Sequence, residues 1–420
     1  MPARFVPSVM PSRTLRILNV GYCFPPVASA ESYVTAKVMG ALPDARVDVL
    51  TAVASYLSSQ PDHSLDTYVA EHFHRIMRVA APAIVRGLVR VPRLPLRPDR
   101  WLLLNRSLVR RARTLDIDTY DCIVTRSQYH SAHLVGLALK RQHLQLPWLA
   151  SFSDPWTGAV YERSVPLLSA WSRSMERQVL ASADALVFPT DEMRDFVARN
   201  HDDMDILARS AIVPHGFDPA LSGQAAQLRL PARPVRIGLF GSFYGPRSPE
   251  PLLAGLAALR AGGGPDVRLE VYGANAALFA KSLESFPDLA TTVLHGGALD
   301  HLTALRRMLD CDLLVLVDAP MKSPSIFLPS KLVDYIGSGR PILAITPDGA
   351  AARIARSVGG EVAPPDDPSA VVRALAAAIA LAKSQPSPLR TDRHEVFEIG
   401  RVAADLRRAI EEAIRRCAAR

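Results

Sequence analysis

The sequence predicts an α/β protein of two domains, each a parallel sheet covered by helices. Three observations carry this expectation. The chain has 420 residues, more than one core normally supports. Short apolar runs alternate with helical patterns along its length, which is the signature of strand–helix–strand units. The alternation halts in a polar stretch ending near Pro234 and starts afresh at Val235. The expected units are 14–216 and 235–394, joined by a linker over 217–234, with a final segment over 395–420.

In the first unit, apolar runs place strands at Leu15–Val20, Val47–Ala52, Cys122–Thr125, Trp148–Phe152 and Leu186–Phe188. Helical patterns fit Glu31–Leu42, Ser131–Gln142 and roughly Pro166–Ser182. Residues 53–100 are rich in proline and arginine and read as irregular. In the second unit strands read at Val235–Phe240, Val267–Tyr272, Thr292–Leu294, Leu313–Val317 and Ile342–Ile345, with an alanine-rich helix near Ala370–Lys383. Glu398–Arg416 is an amphipathic helix with Val402, Leu406, Ile410 and Ile414 at four-residue spacing.

Composition narrows the function classes. Cys23, Cys122, Cys311 and Cys417 are widely separated and show no metal-binding spacing, so they read as reduced thiols in a cytoplasmic protein. Residues 1–13 lack the apolar core of a signal peptide, and no apolar run approaches membrane-spanning length. The net charge of +8 is concentrated: Arg75–Arg113 holds 11 arginines against one acidic residue, Asp99. Apolar residues such as Ile84, Val85, Leu88 and Trp101 are interleaved with them. Two readings fit that stretch, a segment lying on an anionic membrane surface or a pair of solvated arginine-rich helices. Nucleic acid is not expected, because no binding motif or stacking platform accompanies the charge.

The most informative stretch is FLPSKLVDYIGSGRPILAI, Phe327–Ile345. Pro329 blocks a preceding helix, Ser330 is suited to cap a new one, and Lys331–Ile336 is helical in pattern. Gly337 and Gly339 can take the positive φ that ends such a helix, and Pro341 forbids its continuation. A helix start with free N–H groups and a lysine in its first turn attracts phosphate. It follows the apolar run Leu313–Val317, so it lies at the C-terminal end of a parallel strand, where open α/β sheets bind ligands.

This stretch resembles the nucleotide-sugar site of GT-B glycosyltransferases of the family 4-like group. RILNVGYCFPP (Arg16–Pro26) resembles the first strand and donor loop of that group. SAHLVGLALK (Ser131–Lys140) and PWLASFSDPWTG (Pro147–Gly158) resemble the cleft side of its N-terminal domain. ADALVFPTDEMRDF (Ala183–Phe196) and IVPHGFDP (Ile212–Pro219) resemble its last strands and hinge. GLFGSFYGPRSPEPLL, starting at Gly238, resembles the opening of its donor domain. The resemblance implies two Rossmann-like domains facing a cleft, with the last helix crossing back onto the first. It also implies hexosyl transfer from a nucleotide-diphosphate sugar to a hydroxyl, with retention and with no metal or other cofactor. A lipid-linked or glycan acceptor in surface polysaccharide or glycolipid assembly is the expected setting, in the cytoplasm or peripheral on the inner membrane.

The resemblance assigns donor contacts to Ser330, Lys331 and Arg247, with the glycine Gly241 admitting the phosphates closely. Tyr272 and His295 stand at strand ends where the base would sit. Asp334 falls near the ribose, although a plain surface role fits it equally. The family has two glutamates eight residues apart here; this chain has Ile326 for the first and Asp334 for the second. In the donor loop a glycine pair is replaced by Ala28 and Ser29. On the acceptor side Asp154 and His130 are the catalytic candidates, Asp154 to orient the acceptor hydroxyl or take its proton. Asp154-Pro155 is also an ordinary helix-start pair.

Other patterns are rejected. Asp310-Cys311-Asp312 leads into a strand instead of following one, and Gly262-Gly263-Gly264 does the same, so neither is a metal or dinucleotide motif. Two further functional classes stay open, a nucleotide-sugar epimerase and a scaffold of this shape without catalysis.

Overall fold

The computed structural model describes residues 13–89, 91, 96–158, 166–223, 234–243, 245–273, 276–384 and 391–420. Two sheets form, and every strand pairing in both is parallel. The first contains β1 (Leu15–Val20), β2 (Ala45–Ala52), β3 (Arg75–Val79), β4 (Cys122–Arg126), β5 (Trp148–Ser151), β6 (Ala185–Phe188) and β7 (Ser210–Ile212), in the order β3-β2-β1-β4-β5-β6-β7. The second contains β8 (Val235–Phe240), β9 (Val267–Tyr272), β10 (Val293–Gly297), β11 (Leu313–Val317), β12 (Ile342–Ile345) and β13 (Glu361–Ala363), in the order β10-β9-β8-β11-β12-β13. Each sheet therefore grows outward in both directions from its first strand. The switch points lie beside β1 and β8, where a crevice opens at the strands' C-terminal ends.

Near-continuous apolar strands mark sheets covered on both faces. In the first sheet Leu18, Ile123 and Leu186 face one core, while Ile17, Val124 and Val187 face the other. The helix Ile399–Ala418 belongs to that second core: Val402, Leu406 and Ile410 are buried there. The last helix thus crosses back onto the first domain. Both crossings between the domains are tied together, with Phe217 N–H donating to the Phe397 carbonyl and Ile399 N–H donating to that of Phe217.

Three strands differ from expectation. β3 falls in the stretch read as irregular; it is an edge strand, RIMRV, whose arginines interrupt the apolar pattern. β7 and β13 have three residues each, too short for any period to show. The phosphate-site helix also starts and ends differently. Pro329, extended at ψ 125°, is the N-cap, and Ser330 is the first helical residue, with no side-chain cap bond. Gly339 alone closes the helix, at φ 66°. Gly337 stays helical because Phe217 packs on it, where a Cβ would come within 2.5 Å of that ring.

The C-terminal edges of the two sheets face each other. Lys37, on the helix Ala30–Gly40 after β1, pairs at 2.7 Å with Asp334, beyond β11. Asp62, beyond β2, accepts from the Tyr33 hydroxyl and from the backbone N–H of His301, and the rings of Tyr33 and His301 stack at 4.1 Å. Glu192, beyond β6, holds Arg353 with two bonds of 2.7 and 2.8 Å. Thr190 donates to the carbonyl of Ile326.

Candidate active site

The second sheet contributes a cationic pocket at its switch point. β8 runs out at Phe240, and Gly241 turns away at φ 124°, its N–H bonded to the Tyr272 carbonyl. A Cβ on Gly241 would fall 2.0 Å from Lys331 Nζ, so the ammonium lies directly on this glycine. A Cβ on Gly273, at φ 156°, would fall equally close to the Gly241 carbonyl oxygen. No residue with a side chain fits either place without displacing the pocket.

Lys331 is held there by the first turn of the helix Ser330–Ser338. Tyr335, fully buried one turn on, anchors that helix: its hydroxyl accepts from Phe240 N–H and donates to the Val315 carbonyl, joining the ends of β8 and β11. Burial and the nearby Arg247 guanidinium lower the Lys331 ammonium to about 8, against a smaller opposing effect of Asp318. Arg247 pairs with Asp318 at 2.5 Å, and Thr346 donates to the same carboxylate. Two cations and a helix N-terminus therefore converge on one crevice, which suits a diphosphate.

The remaining expected donor residues lie around this crevice with other partners. Tyr272 stacks on Phe240 at 5.0 Å and donates to Glu270. His295 sits on β10, where its Nδ1 accepts from Gly297 N–H. Asp334 is engaged by Lys37 across the cleft. Ser29 caps the helix Ala30–Gly40 by accepting from Ser32 N–H. Its φ of −152° is extended, so this loop closes without the glycine pair.

On the first sheet the polar groups form a second cluster. Glu31 is buried and accepts from Arg126 at 3.1 Å, from the Ser153 hydroxyl at 2.6 Å and from Thr35. Burial raises its carboxyl, and Arg126 opposes that rise. Asp154 follows in the next residue, its carboxyl also raised by burial and held by Gln128 Nε2 at 2.9 Å. His130 stacks on Trp156 at 5.2 Å, is lowered to about 4 by burial, and its Nδ1 has no hydrogen-bond partner among the described residues. His133 is buried beneath it and bonds Thr125. Among the described residues no three His, Cys, Asp or Glu side chains group as metal ligands.

Several residues of these clusters escape sequence reasoning. Glu31 reads as an ordinary helix-start acid, Arg126 as the end of an apolar strand, and Asp318 as a loop residue. One signal marks all three: each stands at or just beyond the C-terminal end of a strand beside a switch point.

Two Rossmann-like sheets opposed at their C-terminal edges across a cationic crevice make the GT-B architecture of glycosyltransferases. Residues 32–206 match the model of the glycosyl transferase 4-like domain. Three solved structures are similar over nearly their whole length. HepE of Anabaena, in complex with UDP and glucose, is 14% identical, with 94% of this chain and 99% of that one covered and a TM-score of 0.65. Sucrose-phosphate synthase of Thermosynechococcus elongatus is 19% identical, with 96% and 94% covered and a TM-score of 0.62. The lipopolysaccharide outer core galactosyltransferase WaaB is 11% identical, with 94% and 99% covered and a TM-score of 0.62. At these identities the likeness is one of fold. No curated protein matches the chain by sequence.

Proposed function

We propose that the protein transfers a hexosyl group from a nucleotide-diphosphate sugar to an acceptor hydroxyl. The observation that carries this reading is Lys331 Nζ lying on Gly241 beside Arg247, at a helix N-terminus in the switch-point crevice. Those cations would stabilise the diphosphate as it leaves, the part of the reaction where charge develops. They would do so without a metal. HepE, similar in fold, was solved with UDP-glucose and with UDP.

Asp154 and His130 line the opposite side. A carboxyl raised by burial and lying next to the Glu31 network is suited to orient an acceptor hydroxyl and receive its proton. Transfer with retention on the front face of the sugar, as the resemblance implies, is the accompanying proposal. The acceptor would be lipid-linked or a glycan in surface polysaccharide or glycolipid assembly, which accounts for the arginine-rich, apolar stretch Arg75–Arg113. Among the described residues no helix is long and apolar enough to cross a membrane.

A thermal-shift panel of UDP, GDP, dTDP and CDP, with and without Mg²⁺, tests the donor reading. One nucleotide should raise Tm in a metal-independent way. No response to any of them would favour a non-catalytic scaffold.

A further inference from the structure

The arginine-rich stretch does not act as one surface. Arg75 is held by Asp48 and Tyr120, and Arg78 donates to the Pro25 carbonyl. What faces outward is a layer of three helices on one face of the first sheet, Ala83–Val89, Asn105–Ala112 and Ser131–Gln142, none of which contains an Asp or Glu. Arg106, Arg110 and Arg113 repeat at helical spacing, so they form one stripe along the Asn105–Ala112 helix and its C-cap. None of the three has a carboxylate partner among the described residues, and Arg113 meets only the Gln142 side-chain oxygen. The first acids after the stripe, Asp116 and Asp118, come once the helix has ended.

Those arginines rim a groove of about 470 Å³ between this helix and Ser131–Gln142, floored by Val109, Leu134 and Ala138. On the Ala83–Val89 helix, which packs on the Arg100–Leu104 turn leading into the groove's first helix, Ile84 and Leu88 are 75% and 42% exposed, and Val91 is 43% exposed. Asn105, at the groove's upper end, donates to the Ser131 carbonyl just beyond β4, so the groove opens at the edge that faces the cleft. A cationic rim over an apolar floor, next to protruding aliphatic side chains, complements the headgroup layer of an anionic bilayer.

We infer that this layer docks the protein on an anionic phospholipid bilayer, with a headgroup phosphate seated among Arg106, Arg110 and Arg113 and with Ile84 and Leu88 entering the acyl boundary. Docking there would present the cleft edge to an acceptor carried in the same membrane. The inference deepens the lipid-acceptor part of the proposed function and rests on it, whereas the donor reading concerns the other sheet.

Flotation of the full-length protein with vesicles of phosphatidylcholine alone, or with added phosphatidylglycerol, tests it. Binding should require the anionic lipid and weaken with salt. Arg106→Gln/Arg110→Gln should lower partitioning about 30-fold, the effect of removing two surface arginines. Ile84→Ser/Leu88→Ser should abolish the binding that persists at high salt. Both variants should keep the wild-type Tm, because every altered side chain is exposed. Equal flotation on neutral vesicles, or undiminished binding by the arginine variant, would overturn the inference. Displacement from the vesicles by single-stranded RNA at comparable concentration would reassign the arginines to nucleic acid and overturn it too. A wild type that floats as expected but ignores every nucleotide would leave the bilayer site standing and count against the donor reading alone.

Discussion

Replacing Lys331 with methionine keeps the side chain's length and removes its charge. In the native pocket the ammonium lies on Gly241 with Arg247 as its neighbour, and burial lowers it to about 8. A unit charge about 4 Å from a phosphate oxygen contributes about 4 kcal/mol at the effective dielectric of a protein site. Loss of one such preorganised charge costs about 2–4 kcal/mol, or roughly 30- to 900-fold in kcat/KM. Stability should move the other way. The unfolded chain binds this proton up to the ordinary lysine value of 10.5 and the folded chain only to about 8, so burying the charge costs stability below pH 8. That cost is relieved as pH rises from 8 towards 10.5. Lys331→Met should therefore melt at a higher temperature than wild type at pH 7 while losing its response to UDP. Calorimetric titration with UDP adds a sharper test. Wild-type affinity should fall as pH rises through 8, with proton uptake on binding, and the variant should bind weakly and without that pH dependence. Identical pH profiles for the two proteins, or an unchanged kcat/KM, would remove Lys331 from the site.

Other outcomes follow from the same geometry. Lys37→Met strands Asp334 as a buried, unpaired carboxylate and should cost about 3–5 kcal/mol in urea unfolding, with much of it recovered in Lys37→Met/Asp334→Leu; a neutral single variant would show that the pair does not hold the domains together. Gly241→Ala puts a methyl 2.0 Å from Lys331 Nζ, which can swing aside, so the protein should fold but lose its UDP shift. Gly273→Ala drives its methyl into the Gly241 backbone, which cannot, and should lower Tm sharply in a melt. His130 and His301 are lowered to about 4 and His215 to about 3, each by burial first. The unfolded chain takes up protons at these residues near pH 6.5 and the folded chain does not, so their contribution is intact above pH 6.5 and lost as pH falls towards 4. Melts at pH 7.5 and pH 5 should differ accordingly, and a flat profile would count against buried neutral imidazoles. Asp154→Asn should reduce kcat in a transfer assay while leaving the UDP shift in place.

The sheet cores were legible because their signal is local. Strands such as Leu15–Val20, Val235–Phe240 and Leu313–Val317 are buried on both faces, so burial writes itself as a predominantly apolar run. β3, β7 and β13 lie at sheet edges, where three residues or a run broken by two arginines suffice and no periodic signal arises. Lys331 stood out because a Pro-Ser turn before a helical pattern is a statement about neighbouring residues. Asp318, the partner of Arg247, did not, because nothing local distinguishes it from any loop aspartate; only the fold brings it to Arg247, 71 residues away in the chain.

By itself the sequence determined two parallel α/β domains, the helix start that exposes Lys331, and the concentration of arginine between residues 75 and 113. These are consequences of short-range patterning: period, caps and composition. Tertiary structure alone decided that Arg75 takes Asp48 as its partner, that Asp334 is spent on Lys37, and that Glu31 and Arg126 meet. Those outcomes depend on pairings between residues far apart in the chain. The strand order in each sheet decides which of these residues meet.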